Sequence, residues 1–182
     1  IAISTPDPAK ALAHARWLLK ANDGSGGQSL LSFHKPSLWA ALTYTADKTF
    51  DQLMGCWSAV YCPAPNHFGE HRGPWLAWVA NEKSTWPGAR AAFNLPEAAA
   101  QVQARLGWLY WVDEEYASFD EPGDDRLNDI ADNLDLLLQC NIYDGDHLLK
   151  LGHVVNSALF ETRPEIMAIL QSKDESFIKV DR

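Results

Sequence analysis

Two histidines and a glutamate within five consecutive residues are the clearest candidates for chemistry in this chain. The segment His67-Phe68-Gly69-Glu70-His71 fits the pattern H-x-x-E-H, which occurs in a class of zinc-dependent peptidases. On a helix, side chains four residues apart share one face, so the two histidines would bind one zinc ion while the glutamate activates a water molecule. The pattern therefore predicts a metal site formed by His67, Glu70 and His71.

The residues around this motif argue against a helical metal site. Two prolines precede the motif, a glycine lies inside it and Gly73-Pro74 follows it, and all of these interrupt helices. Cys56 and Cys62 would add ligands for a structural zinc ion, but the gap between them is wider than the usual two to four residues. The alternative is an ordered polar turn in which the histidines and Glu70 make local hydrogen bonds.

Acidic residues are concentrated in one segment of the chain. Residues 113–146 contain 12 acidic residues and one basic residue, a net charge of −11. Residues 1–112 have a net charge of +2 and residues 147–182 a net charge of zero, which together account for the total of −9. Direct binding of nucleic acid requires a basic surface, so this distribution argues against it. It favours a cationic partner instead.

The acidic segment 113–146 is the predicted binding surface for a basic protein partner. The protein would act without catalysis, as an inhibitor, an immunity protein, or a chaperone or adaptor. Tryptophan is common at interface hot spots, so tryptophans beside the acidic segment would anchor the partner. The predicted partner-binding residues are Trp108, Trp111, Asp113, Glu114, Glu115, Asp120, Glu121, Asp124 and Asp125. The alternative is that these charges are an ordinary solvated face.

The cysteine content and the hydropathy of the chain indicate the cellular compartment of the protein. The three cysteines are scattered and odd in number, which favours free thiols and a reducing compartment. No apolar run approaches the ~20 residues that a membrane-spanning helix needs. The sequence therefore predicts a cytoplasmic protein that does not bind a membrane and, apart from the zinc alternative, carries no cofactor.

Helix signals outnumber strand signals along the chain. Thr5-Pro6-Asp7 begins a first helix, and Asn94-Leu95-Pro96 begins the longest one. Residues 127–138 place Leu and Ile at helical spacing, and Asp144 begins a further helix. Apolar residues over 50–61 predict another helix, and Pro74 predicts the start of a helix over the following residues. The glycine-rich residues 22–27 read as a connecting loop, because no strand or Gly-Lys-Ser motif accompanies them.

These elements predict an all-α fold of about eight or nine short helices in a single compact domain, residues 1–182. Residues 172–182 are polar and read as a flexible C-terminal tail. Three similar aromatic-aliphatic segments, at residues 38–42, 75–79 and 108–112, lie 37 and 33 residues apart. These distances are close to the periods of helical repeats, so an α-helical repeat scaffold is a further alternative.

Overall fold

The computed structural model describes residues 1–22, 26–68, 74–81 and 92–182, the side chain of Lys48 excepted. The helices in these residues are α1 (Pro8–Leu18), α2 (Pro36–Thr45), α3 (Phe50–Met54), α4 (Ala99–Glu114), α5 (Leu127–Gln139), α6 (Gly145–Lys150), α7 (Gly152–Val155), α8 (Pro164–Leu170) and α9 (Ser176–Asp181). The strands are β1 (Ala2–Ser4), β2 (Lys20–Asn22), β3 (Gln28–Leu30), β4 (Ala59–Pro63), β5 (Trp75–Val79) and β6 (Phe93–Asn94). Short 3-10 helices cover Asp47–Thr49, Tyr116–Phe119, Asp124–Arg126 and Phe160–Thr162.

The prediction of an all-α fold is wrong, because 13% of the structure is strand and 55% is helical. The strands form two three-stranded sheets. In the first sheet, β4 lies between β1 and β5 and is antiparallel to both. In the second sheet, β2 lies between β3, to which it is antiparallel, and β6, to which it is parallel. The fold is therefore a mixture of helices and small sheets.

The helix predicted over residues 50–61 stops halfway. Helix α3 ends at Met54 because Gly55 has a φ of +54°, a backbone conformation that does not continue a helix. Strand β4 follows shortly afterwards, and its Val60 lies opposite Ile3 of β1 and Trp78 of β5. Branched and aromatic residues of this kind pack well on a pleated sheet, which the sequence interpretation did not weigh.

The helix predicted to begin at Pro74 is strand β5. Its side chains alternate between exposed and half-buried, which is the two-residue period of a strand covered on one face. Its backbone pairs with β4 from Val79 opposite Ala59 to Trp75 opposite Pro63. The helical-repeat arrangement is wrong for the same reason. The second of the three similar segments is this strand, whereas the first and third lie in α2 and α4.

The chain divides into two compact units, which we call unit 1 and unit 2. Unit 1 comprises Ile1–Ala64 and His71–Gly107, and unit 2 comprises Pro65–Glu70 and Trp108–Arg182. Unit 1 contains 6 acidic and 9 basic residues, a net charge of +3, and unit 2 contains 18 acidic and 6 basic residues, a net charge of −12. The acidity of the protein therefore belongs to unit 2. The single domain over residues 1–182 stays a prediction.

Buried tryptophans and a buried histidine form the centre of unit 1. Trp39 and Trp57 are almost fully buried, together with Phe93 and aliphatic residues of α1, α2 and α3. The ring of His14 lies against Trp57 at a centroid distance of 4.6 Å, and its Nε2 donates to the carbonyl oxygen of Leu53 at 2.9 Å. Burial lowers the pKa of His14, so the neutral ring is favoured and the histidine acts as a core residue.

Unit 2 has a core built on α5. Ile130, Leu134 and Leu137 are buried, as their helical spacing predicts, whereas Leu138 is exposed. The unit also confirms the predicted helix start at Asp144, whose side chain accepts hydrogen bonds from the first turn of α6. Helical periodicity and capping therefore predicted this part of the chain well.

The C-terminal residues form α9, which is part of unit 2. Val180 is buried in the core, and Lys179 Nζ donates to the carbonyl oxygen of Leu170 at 2.8 Å. The helix Ser176–Asp181 lies within the segment predicted as a flexible tail, and the flexibility of that segment stays a prediction. Among the described residues, no helix combines the length and the apolar composition that crossing a membrane requires.

Candidate functional site

A short segment that follows β4 needs hydrogen-bond acceptors for its backbone. Strand β4 ends at Pro63, and among the described residues no strand pairs with the N–H groups of Asn66 and His67 that follow. Phe68, which is buried in the core of unit 2, holds the end of the segment in place. The acceptor comes from Asp113, in the last turn of α4.

The carboxylate of Asp113 is almost enclosed by this segment. Its Oδ1 accepts from the backbone N–H of Asn66 at 2.9 Å and of His67 at 2.8 Å, and its Oδ2 lies 3.0 Å from the Asn66 nitrogen. Only 8% of Asp113 is exposed. A carboxylate near the C-terminal end of a helix is disfavoured by the helix dipole, so these donors are what stabilise it there.

Asp113 also orients the imidazole of His67. Oδ1 lies 3.0 Å from Nδ1, so Nδ1 donates to the carboxylate, and in the neutral form of the ring the lone pair is on Nε2. The ring stacks on Tyr116 with a centroid distance of 3.8 Å and an interplanar angle of 3°, which fixes its plane. The side chain is 41% exposed, and no hydrogen bond to Nε2 occurs within the described residues. A histidine held in this way can accept a proton or bind a metal ion through Nε2.

The structure describes only some of the other predicted metal ligands. Glu70 and His71 lie outside the described residues. Cys56 and Cys62 belong to unit 1, and burial raises the pKa of the Cys62 thiol to about 11, which disfavours the thiolate that binds zinc. In the described part of the chain, no group of three or more His, Cys, Asp or Glu side chains is placed to hold a metal ion.

The predicted partner-binding residues differ in how much of each side chain is exposed to solvent. Five carboxylates are exposed, Glu115 is half-buried, and Asp113 is buried and bonded to the Asn66-His67 segment. The exposed residues, which we call the acidic turn, are Glu114, Asp120, Glu121, Asp124 and Asp125. Asp120 and Glu121 have φ angles of +54° and +49°, so the chain turns sharply between two 3-10 helices and presents its carboxylates to solvent.

Trp108 and Trp111 are half-buried and contribute to the core of unit 2. Trp108 Nε1 donates to Asp135 at 2.6 Å, and the Trp111 ring meets Phe119 edge-on at a centroid distance of 5.3 Å. Each tryptophan therefore leaves only part of its ring for contact with a partner.

Sequence reasoning treated His67 and Asp113 separately, as a metal ligand and as a surface charge. The residues are 46 positions apart, and no local pattern links them. The sequence nevertheless contained an indication that the carboxylate of Asp113 is buried. Asp113 lies four residues after Leu109 and seven after Leu106, so it shares a helical face with these two leucines. A carboxylate at such a position requires donors elsewhere in the fold.

Comparison with protein-family models, curated proteins and solved structures found no match to this chain.

Proposed function

We propose that the protein is a non-enzymatic binding protein that engages a basic protein partner through its acidic turn. The observation that carries this proposal is that the five exposed carboxylates of the acidic turn lie within 12 consecutive residues of a unit whose net charge is −12. The protein would serve as an inhibitor, an immunity protein, or a chaperone or adaptor. Direct binding of nucleic acid is not part of this proposal.

Electrostatic complementarity is the physical basis of the proposal. Exposed charges of one sign steer an oppositely charged partner during diffusion and raise its association rate by roughly 10–10³ at low salt. The exposed parts of Trp108 and Trp111 are the apolar anchors that such a surface would combine with its charges. The three free thiols are in keeping with the cytoplasmic location that forms part of the proposal.

Neutralising the acidic turn should abolish a salt-sensitive interaction. The variant Glu114→Gln, Asp120→Asn, Asp124→Asn, Asp125→Asn is immobilised beside the wild-type protein, and proteins retained from a cell extract are identified by mass spectrometry. We expect basic proteins that the wild type retains to be lost from the variant. For any partner found in this way, the association rate at low salt should fall by roughly 10–10³.

A control variant with the same net charge as the acidic-turn variant distinguishes binding by a local surface from binding by the overall negative charge of the protein. The control changes Asp47→Asn, Glu97→Gln, Glu161→Gln and Glu175→Gln, all exposed and all outside the acidic turn. The control should retain the same basic proteins as the wild type. Equal retention by the acidic-turn variant and the wild type would contradict the proposal.

The second candidate function is that of a zinc protein, structural or hydrolytic, using His67, Glu70 and His71. The observation that favours it is the bond from His67 Nδ1 to Asp113. Histidines that bind metals usually donate their other ring nitrogen to a carboxylate or a carbonyl group. In a hydrolase, Glu70 would activate the metal-bound water, as in the sequence pattern.

Elemental analysis of the purified protein tests the zinc site. We expect about one zinc ion per chain, removable by a chelator, and loss of the zinc in the variant His67→Ala. Asp113→Asn should weaken zinc binding by roughly 10–100-fold, since carboxylates behind the ligand have effects of that size. His153→Ala, at an exposed histidine elsewhere in unit 2, should keep its zinc. A wild-type protein that neither contains nor takes up stoichiometric zinc would remove this candidate.

A further inference from the structure

Unit 2 contains a cavity of about 270 Å³ next to its C-terminal helices. Helices α5, α8 and α9 contribute to its wall, and buried residues such as Leu137, Phe160 and Leu170 make that wall largely apolar. The charged residues of the lining are Arg163, Glu165, Lys179 and Arg182. An apolar wall with a few charged groups is the usual composition of a site for a small organic molecule.

The charges around this cavity differ from those of unit 2 as a whole. The lining has three cations and one acid, whereas the unit has a net charge of −12. Arg163 is paired with Glu165 at 2.9 Å, and Arg182 is paired with a carboxylate outside the lining at 2.6 Å. Within the residues that the structure describes, Lys179 has no carboxylate at ion-pair distance. Lys179 is therefore the cation that a bound anion would balance.

The environment of Lys179 suits an anionic group. Its side chain is half-buried, and its Nζ donates one hydrogen bond, to the carbonyl oxygen of Leu170. An ammonium group has three N–H donors, and its removal from water is unfavourable without acceptors and a counter-charge. A carboxylate supplies both, through short and strong hydrogen bonds.

We infer that this cavity binds a small amphipathic carboxylate, of the class of medium-chain fatty acids. The carboxylate would lie at Lys179, and the alkyl chain would fill the apolar part of the cavity beside Leu137 and Phe160. The cavity volume lies just below the roughly 300–1,000 Å³ of sites that bind drug-sized ligands, so the occupant is a short chain. This binding site is independent of the acidic turn and of the zinc candidate.

Octanoate is the probe, and 1-octanol is its neutral counterpart. We expect octanoate to bind wild-type protein saturably by calorimetry, with a dissociation constant on the order of 0.1–1 mM for a ligand of this size. Octanoate should also raise the melting temperature of the protein. Octanol should bind about 10-fold more weakly, since it lacks the charge that interacts with Lys179. The affinities of octanoate and octanol are compared in the wild-type protein.

Two matched lysine variants locate the interaction. Lys179→Met keeps the unbranched stem and removes the charge, and it should lower the affinity for octanoate about 10-fold while leaving the affinity for octanol unchanged. Lys173→Met makes the same change at an exposed lysine that does not line the cavity, and it should bind both compounds like the wild type. The proposal is overturned by an absence of saturable octanoate binding, by equal affinity of the wild type for both compounds, or by equal losses in the two variants.

Discussion

Replacing Asn133 by leucine is expected to lower the free energy of unfolding by about 3–5 kcal/mol. Asn133 is a buried side chain in α5, with 1% of its surface exposed. Its Nδ2 donates to the carbonyl oxygens of Val155 and Ala158 at 2.9 Å and 2.8 Å, and its Oδ1 accepts from the backbone N–H of Phe160 at 2.8 Å. One amide therefore satisfies three backbone groups, from the last residue of α7 to the first residue of the next 3-10 helix.

Leucine has the same branching pattern as asparagine, but it is bulkier and neither donates nor accepts hydrogen bonds. The variant would leave two carbonyl groups and one N–H group inside unit 2 without this partner. Each buried group left unsatisfied costs roughly 1–3 kcal/mol, and local rearrangement recovers part of the total. Denaturant unfolding followed by circular dichroism measures the change.

Gln139→Leu is the matched control, since it also exchanges an amide for leucine on α5 but at an exposed position. We expect its free energy of unfolding to lie within about 0.5 kcal/mol of the wild type. A loss for Asn133→Leu no larger than that of the control would show that these three hydrogen bonds do not hold unit 2 together.

Gly152→Ala is the second substitution with a large expected effect. Gly152 is the first residue of α7, and a Cβ atom there would lie 2.0 Å from the carbonyl oxygen of Ser118 and 2.9 Å from its carbonyl carbon. Both atoms are backbone, so the clash is relieved only if α7 and the 3-10 helix Tyr116–Phe119 move apart. We expect a loss of about 3 kcal/mol in the free energy of unfolding, at the upper end of typical overpacking effects.

The same substitution should disturb the His67 site. The displaced 3-10 helix carries Tyr116, on which the His67 ring stacks. We therefore expect the NMR resonances of the His67 ring to shift in Gly152→Ala, besides the loss of stability.

Gly145→Ala provides the control for Gly152→Ala. Gly145 is also the first residue of a short helix, and a Cβ atom there meets nothing within 4 Å. This variant should be as stable as the wild type or more stable by roughly 0.4–1 kcal/mol, because alanine restricts the unfolded chain. Similar stability of the two alanine variants would contradict the close approach of α7 to Ser118.

Helices whose signals are local could be predicted from the sequence. In α5, apolar residues at helical spacing were enough to identify the buried face, and Asp144 identified the beginning of α6. The strands could not be predicted in the same way. Five residues such as Trp75–Val79 satisfy a helical and a strand pattern equally well, and only the pairing with β4, which is distant in sequence, decides between them.

The candidate sites likewise include features that the sequence shows directly and features that depend on the tertiary structure. The concentration of charge in the acidic turn follows from the sequence alone, and its role in binding stays a prediction. The pairing of Asp113 with His67 and the cavity beside Lys179 could not be predicted from the sequence. Each of them depends on residues brought together from distant parts of the chain.

By itself, the sequence determined the properties that depend on near neighbours, namely the concentration of charge in residues 113–146 and the periodicity of the C-terminal helices. The tertiary structure decided which segments became strands and that Asp113, among 12 acidic residues of that segment, is turned inward to hold His67. The physical reason is that charge and periodicity are local, whereas burial and strand pairing are properties of contacts that exist only after the chain has folded.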